Sequence, residues 1–233
     1  MSVLRRLRRR RMALGVVSLL CLLAGGCGSP PPDAAALLRQ TSAHMNAVRG
    51  FHFTLAIQGA PPAAIPVQSA EGDAHPPDLT TRVELAQNGV LLEVNVIVLG
   101  SHVYLKSFTG GWQELTPAEV AQFFDVHALF DPTRGLFSAM AKTTQVTRGG
   151  QQTLNGHPTW TVSGRLEAAQ VHDLLSVARS EGSYQTTYWI EPPATLWRAT
   201  LSGRLFDPTL EATITFDFSK HDQPVTITAP PLG

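Results

Sequence analysis

Two Asn-Gly pairs constrain this chain more than anything else in it. Asn88-Gly89 and Asn155-Gly156 each lie between two runs of alternating residues, and Asn-Gly is the pair best suited to a two-residue β-hairpin turn. Before the first turn, Thr80 to Gln87 sends Val83 and Leu85 to one face. After it, Leu92, Val94, Val96 and Val98 make an apolar face while Glu93 and Asn95 point away. Gly100-Ser101 then turns into His102 to Ser107, and Gly110-Gly111 turns toward Trp112, so the predicted unit is an antiparallel meander. Gln145 to Leu154 and His157 to Leu166 flank the second turn as another hairpin. Phe51, Phe53, Leu55 and Ile57 alternate with polar or small neighbours in an earlier strand. Gln185 to Glu191, Leu196 to Leu205 and Leu210 to Ser219 read as three later ones, with Tyr188, Trp197, Phe206, Phe216 and Phe218 in or beside them.

Helices interrupt the strands at three places. Asp33 is placed to cap a helix running to about Val48, with Leu37, Leu38, Thr41 and Met45 on one face and Gly50 as its stop. Thr116-Pro117-Ala118-Glu119 has the cap, first-turn proline and third-position glutamate of a helix start. Asp131-Pro132-Thr133 restarts a helix through Leu136, Phe137 and Met140. Glu167 to Arg179 reads as a helix laid across the sheet. The resulting class is α+β, an antiparallel sheet with helices covering one face.

The first 26 residues read as a leader. Arg5, Arg6 and Arg8 to Arg11 precede 15 uncharged residues, Met12 to Gly26, and then Cys27. That apolar run is short for a spanning helix, which needs roughly 20 residues. Cationic start, short apolar core and small residues before the exit are the marks of a cleavable signal. Cysteine immediately after Leu23-Ala24-Gly25-Gly26 makes it a lipoprotein signal, with Cys27 as the acylated first residue of the mature chain. An ordinary signal peptide and an uncleaved anchor are the competing readings, and the arginines leave open export by the Sec or the twin-arginine route. Residues 27–32 form a proline-rich tether, and 33–233 one folded domain.

The formal charge of zero conceals an asymmetry. Six of the 18 basic residues sit in the leader, leaving 12 against 18 acidic ones and a net charge of −6. Such a surface argues against nucleic acid as a partner. With Cys21 in the leader and Cys27 acylated, no cysteine remains for a disulfide, so packing must hold the domain together. Catalytic signatures are lacking. The eight histidines fall in no metal-ligand spacing, and there is no Gly-x-Ser-x-Gly elbow and no phosphate-cradling glycine loop. The reading is of a protein that is not an enzyme and needs no cofactor or metal.

Several segments resemble one family. Asp131-Pro132-Thr133-Arg134-Gly135-Leu136, the Asn155-Gly156 hairpin through Gly164, the Val94 to Val98 core of Gly89 to Lys106, and Phe218-Ser219-Lys220 with Pro224 to Ile227 are similar, in the same order, to the LppX/LprG lipoproteins of mycobacterial type. The resemblance implies a strongly curved antiparallel sheet, a half-barrel, with helices on its concave side, LolA/LolB-like in the manner of the periplasmic lipoprotein carriers. It also implies an apolar cavity for the acyl chains of a lipid or acylated glycolipid, carried toward the outer cell envelope. The expected protein is a monomer anchored outside the cytoplasm through Cys27, with an envelope transport partner. Candidate cavity walls are Leu92, Val94, Val96 and Val98 on the sheet and Phe123, Phe130, Leu136, Phe137 and Met140 on the helices. For each of these taken singly, an ordinary core position is the competing reading. A solid-core lipoprotein that binds an envelope protein or polysaccharide is one alternative for the whole, and a hydrolase is another.

Overall fold

In the computed structural model, which describes residues 33–60, 65–116, 118–119 and 128–233, Asp33 caps the first helix as its position predicts. Its carboxylate accepts from the Ala36 amide at 3.1 Å, satisfying one of the N–H groups a helix start leaves unpaired. Helix α1 (Ala34–Ala47) turns Leu37, Leu38, Thr41 and Met45 inward. It stops at Val48, which is extended, and not at Gly50. Gly50 serves a different need: a β-carbon there would lie 2.8 Å from the carbonyl oxygen of Gln223, so the returning C-terminal segment requires the bare backbone.

One sheet of eleven strands makes up half of the described chain. The first wing is β1 (Phe51–Gln58), β2 (Val67–His75), β3 (Asp78–Gln87), β4 (Val90–Leu99), β5 (His102–Lys106) and β6 (Trp112–Leu115). The second is β7 (Thr144–Leu154), β8 (His157–Glu167), β9 (Ser183–Glu191), β10 (Thr195–Gly203) and β11 (Ala212–Ser219). Their spatial order is β6-β5-β4-β3-β2-β1-β11-β10-β9-β8-β7, with antiparallel pairing throughout. Each wing is a meander, and β1 pairs with β11 where they meet. Both Asn-Gly turns form as predicted, with positive φ at Asn88, Gly89, Asn155 and Gly156, the backbone that matches the right-handed twist of a hairpin.

The sheet is strongly curved. Val103 on β5 and Val162 on β8 belong to one packed cluster, although eight strand spacings separate them in the sheet order, roughly 38 Å if it were flat. Bulges in β2–β3, β7–β8 and β9–β10 supply local bending. Helix α2 (Leu136–Ala141) lies against α1 on the concave side and buries Phe137 and Met140 in the same cluster. Phe51 is at its centre, edge-on to Phe130, Phe137 and Phe218 at ring separations of 5.6 to 6.0 Å, a geometry that adds to simple burial. A second cluster, with Ile57, Leu166, Tyr184, Leu205 and Ile214, fills the other end of the sheet.

Three sequence expectations differ from the structure. Strand β2 was not predicted, because Val67–His75 carries alanine, serine and glycine instead of β-branched residues. Gly72 shows why: a β-carbon would sit 2.1 Å from the Thr80 carbonyl oxygen. The helix expected over Glu167 to Arg179 shrinks to α3 (Ala168–His172). Beyond it, the His172 ring bonds the Ala178 carbonyl at 2.7 Å and the Tyr184 hydroxyl donates to the Arg179 carbonyl at 2.6 Å, giving the backbone partners other than a helix. Asp131-Pro132-Thr133 is a turn and not a helix start; α2 begins at Leu136 with Gly135 as its cap.

Candidate functional site

The two-residue turns fix the register of the apolar face in the first wing. Leu85 stands opposite Leu92, Val83 opposite Val94, Thr81 opposite Val96 and Leu79 opposite Val98. Beyond β4, Val96 faces Leu105 and Val98 faces Val103. Partners in register share a face of the sheet, so these residues form one apolar ladder across β3, β4 and β5. Its two ends differ. Leu79, Val98 and Val103 are buried in the packed cluster, and Val96 packs against it half-buried. Val83, Leu85, Leu92, Val94 and Leu105 are also half-buried but, among the described residues, join neither packed cluster.

The expected wall residues therefore divide. Val98, Phe137 and Met140 are at most 2% exposed and make up core in this structure. Val96, Phe130 and Leu136 rest against that core, part-buried. Leu92 and Val94 lie on the open end of the ladder. Phe123 and Cys27 lie outside the described residues. Val83, Leu85 and Leu105 complete the open end and were not among the expected wall residues. Their signal was nonetheless present, since the Asn88-Gly89 and Gly100-Ser101 turns dictate which residues face Leu92, Val94 and Val96.

Local chemistry positions α2 over the sheet. The Asp131 carboxylate accepts from the Thr133 hydroxyl at 2.6 Å, the Thr133 amide at 2.7 Å and the Arg134 amide at 3.1 Å. These bonds, the Thr133 hydroxyl foremost, lower its pKa from 3.8 to about 2. Ser138 on α2 accepts from the Asn46 side chain of α1 at 3.3 Å. Ahead of this segment, Thr116 and Glu119 form the predicted capping box, with the Thr116 amide and hydroxyl both donating to the Glu119 carboxylate at 2.7 Å. Deeper in the concave wall, the Tyr188 hydroxyl meets Thr143 Oγ1 at 3.0 Å, and burial raises its pKa.

Two clefts lie elsewhere. One of about 280 Å³ sits where the C-terminal segment crosses the first wing, lined by His52, Asp73, Thr80, Lys220, Gln223 and Val225 among others. Another of about 400 Å³ includes Arg165, Arg179, Glu181, Tyr184, Arg204 and Glu211. Among the described residues, neither is lined by an expected wall residue. Among the described residues no group of His, Cys, Asp or Glu is placed to hold a metal ion, and no helix is long and apolar enough to cross a membrane.

Comparison with known proteins agrees with this geometry. The lipoarabinomannan carrier protein LprG of Mycobacterium tuberculosis H37Rv is 25% identical over 238 residues, spanning 98% of each chain. The crystal structure of LprF from Mycobacterium bovis has a TM-score of 0.71 at 22% identity, covering 88% of this chain and 100% of that one. The crystal structure of LppX from Mycobacterium tuberculosis has a TM-score of 0.62 at 19% identity, covering 85% and 100%. At those identities the two structures establish a shared fold. The sequence profile of the LppX_LprAFG lipoproteins matches residues 33–227, and the chain belongs to the LppX_LprAFG lipoprotein family.

Proposed function

We propose that this protein is an extracytoplasmic lipoprotein that shelters the acyl chains of a lipid or acylated glycolipid against the open end of the β3–β4–β5 ladder. Residues 1–26 are the signal peptide, Cys27 carries the anchor, 27–32 are the tether and 33–233 bind the ligand. The observation that carries this reading is the ladder itself: a face of Val and Leu that continues the core outward yet joins neither packed cluster. Hydrocarbon laid on it needs no charged partner. Each methylene removed from water contributes about 0.8 kcal/mol, so a 16-carbon chain gains on the order of 10 kcal/mol. Leu92, Val94, Val83, Leu85 and Leu105 form the contact surface, Val96, Phe130 and Leu136 its inner boundary, and Val98, Phe137 and Met140 the floor behind it.

The relatives called lipoarabinomannan carriers favour an acylated glycolipid as ligand, with the polar head left at the mouth. The work is binding and release, not bond chemistry. Carriage toward the outer envelope then requires hand-over to a partner, and the protein acts as a monomer. Two or more acyl chains on Cys27 would hold it at the membrane, since one gives only marginal attachment. The test is mass spectrometry of lipid bound to the full-length protein extracted in mild detergent. Wild type should carry lipid, and Val94→Trp, which fills the open end without touching the packed cluster, should lose it while melting at the same temperature. Wild-type protein that stays empty after incubation with envelope lipid extract would overturn the proposal.

A further inference from the structure

The strand register reveals a second asymmetry. The connections between strands adjacent in the sheet open at one of two ends. Asn88-Gly89, the 107–111 loop, the 168–182 segment and the 204–211 loop lie at one end, as follows from the pairs Gln87–Val90, Lys106–Trp112, Glu167–Ser183 and Gly203–Ala212. The turns at 76–77, 100–101, 155–156 and 192–194 lie at the other. Among the described residues six large apolar side chains are exposed: Val90, Leu91, Phe108, Val177, Leu210 and Leu232. Every one belongs to the first end. Leu91 and Phe108 are both 65% exposed, and Leu232 is bridged to Trp112, the first residue of β6. The opposite turns carry none of them.

We infer that this rim is a bilayer-contact surface, whose apolar tips enter the head-group and acyl boundary of a phospholipid membrane. Two features select a membrane over a protein. First, the side chains come from five separate segments, spaced along a rim and divided by polar residues, whereas a protein partner is usually met by one contiguous, complementary patch. A fluid interface accepts scattered tips and gains from each one buried. Second, Val90 lies on the same face of β4 as Leu92 and Val94, so the exposed tip there is continuous with the apolar ladder. A chain leaving the bilayer at the rim meets hydrocarbon all the way in. Cys27 also lies only six residues before Asp33, a reach of at most about 20 Å, so the anchored domain cannot stand far from the surface. The domain's net charge of −6 gives no electrostatic help on an anionic surface, so contact rests on apolar insertion and persists in high salt.

This inference rests on the tethered-carrier reading, and its test separates the two. With no cysteine after residue 27, single probes can be placed as Leu91→Cys, Phe108→Cys and Leu210→Cys, with Ser101→Cys at the opposite end as control. Each is labelled with an environment-sensitive fluorophore on the full-length protein anchored in phosphatidylcholine–phosphatidylglycerol vesicles. The expected result is a blue-shifted emission at the three rim sites, quenched by lipids spin-labelled on the acyl chain and unchanged at high salt, and a water-exposed signal at residue 101. Rim probes that stay water-exposed overturn the inference, as does a blue shift that appears only with rising protein concentration, which would make the rim a self-association face. Bound lipid is measured on the same samples. Water-exposed rim probes on a lipid-loaded protein defeat the rim assignment alone, whereas quenched probes on an empty protein defeat the carrier reading alone.

Discussion

The two ends of one apolar ladder behave differently. At the end near Val98 and Val103, α1, α2 and Phe51 close over the sheet and leave core. At the end near Leu92 and Val94, equally apolar residues in the same register remain half-buried and outside the packed clusters. The strands are the same and the side chains are interchangeable in kind; what changes is the cover above them. A face can thus be core along half its length and half-buried along the other half, without any change in sequence pattern.

Mutation should expose that contrast most strongly at the packed end. Phe51→Ala removes a ring set against four other aromatics and should cost about 3–5 kcal/mol, read as a lowered midpoint in urea unfolding. The same truncation at the open end, Leu92→Ala, should cost about 1 kcal/mol, since the side chain is already partly in water, but should reduce bound lipid. Equal costs at the two sites would erase the distinction between core and open face. Asp33→Ala removes the cap of the helix that covers the packed end and should cost about 1 kcal/mol, measurable as a lower melting temperature with lipid binding retained.

The smallest effect concerns pH. The Asp131 carboxyl has its pKa lowered to about 2 when folded, against an ordinary 3.8. The stabilisation it brings is complete above pH 3.8 and is lost as pH falls through that value toward 2. Asp131→Asn should therefore flatten the acid end of the stability profile, and an unchanged profile between pH 4 and 2 would mean the turn before α2 does not depend on that charge. Asp207 makes the same set of bonds in the second Asp-Pro-Thr of the chain, accepting from the Thr209 hydroxyl at 2.6 Å and its amide at 2.7 Å, and its pKa is also lowered. It is the natural site for a comparison far from α2.

The strands with β-branched or aromatic alternation were legible from sequence because period two and a turn signal together fix both face and register. Leu92, Val94, Val96 and Val98 share a face as expected. Strand β2 was not legible, since its residues are chosen for close backbone approach and carry no apolar period. The helix after Glu167 was overextended because helical spacing cannot register that the His172 ring and the Tyr184 hydroxyl take two carbonyls downstream. The placing of exposed apolar residues at one rim was equally hidden, as Phe108, Val177 and Leu210 are far apart in sequence and are brought to the same end of the sheet only by strand order.

Sequence by itself determined the antiparallel meanders and the apolar face of the ladder, both of which depend on neighbours within a few residues. Only the tertiary structure decided which part of that face is core and which is half-buried beside it, because burial depends on what folds back over a strand. Among the described residues the cover is α1 and α2, and Leu92 is not part of the cluster they pack into.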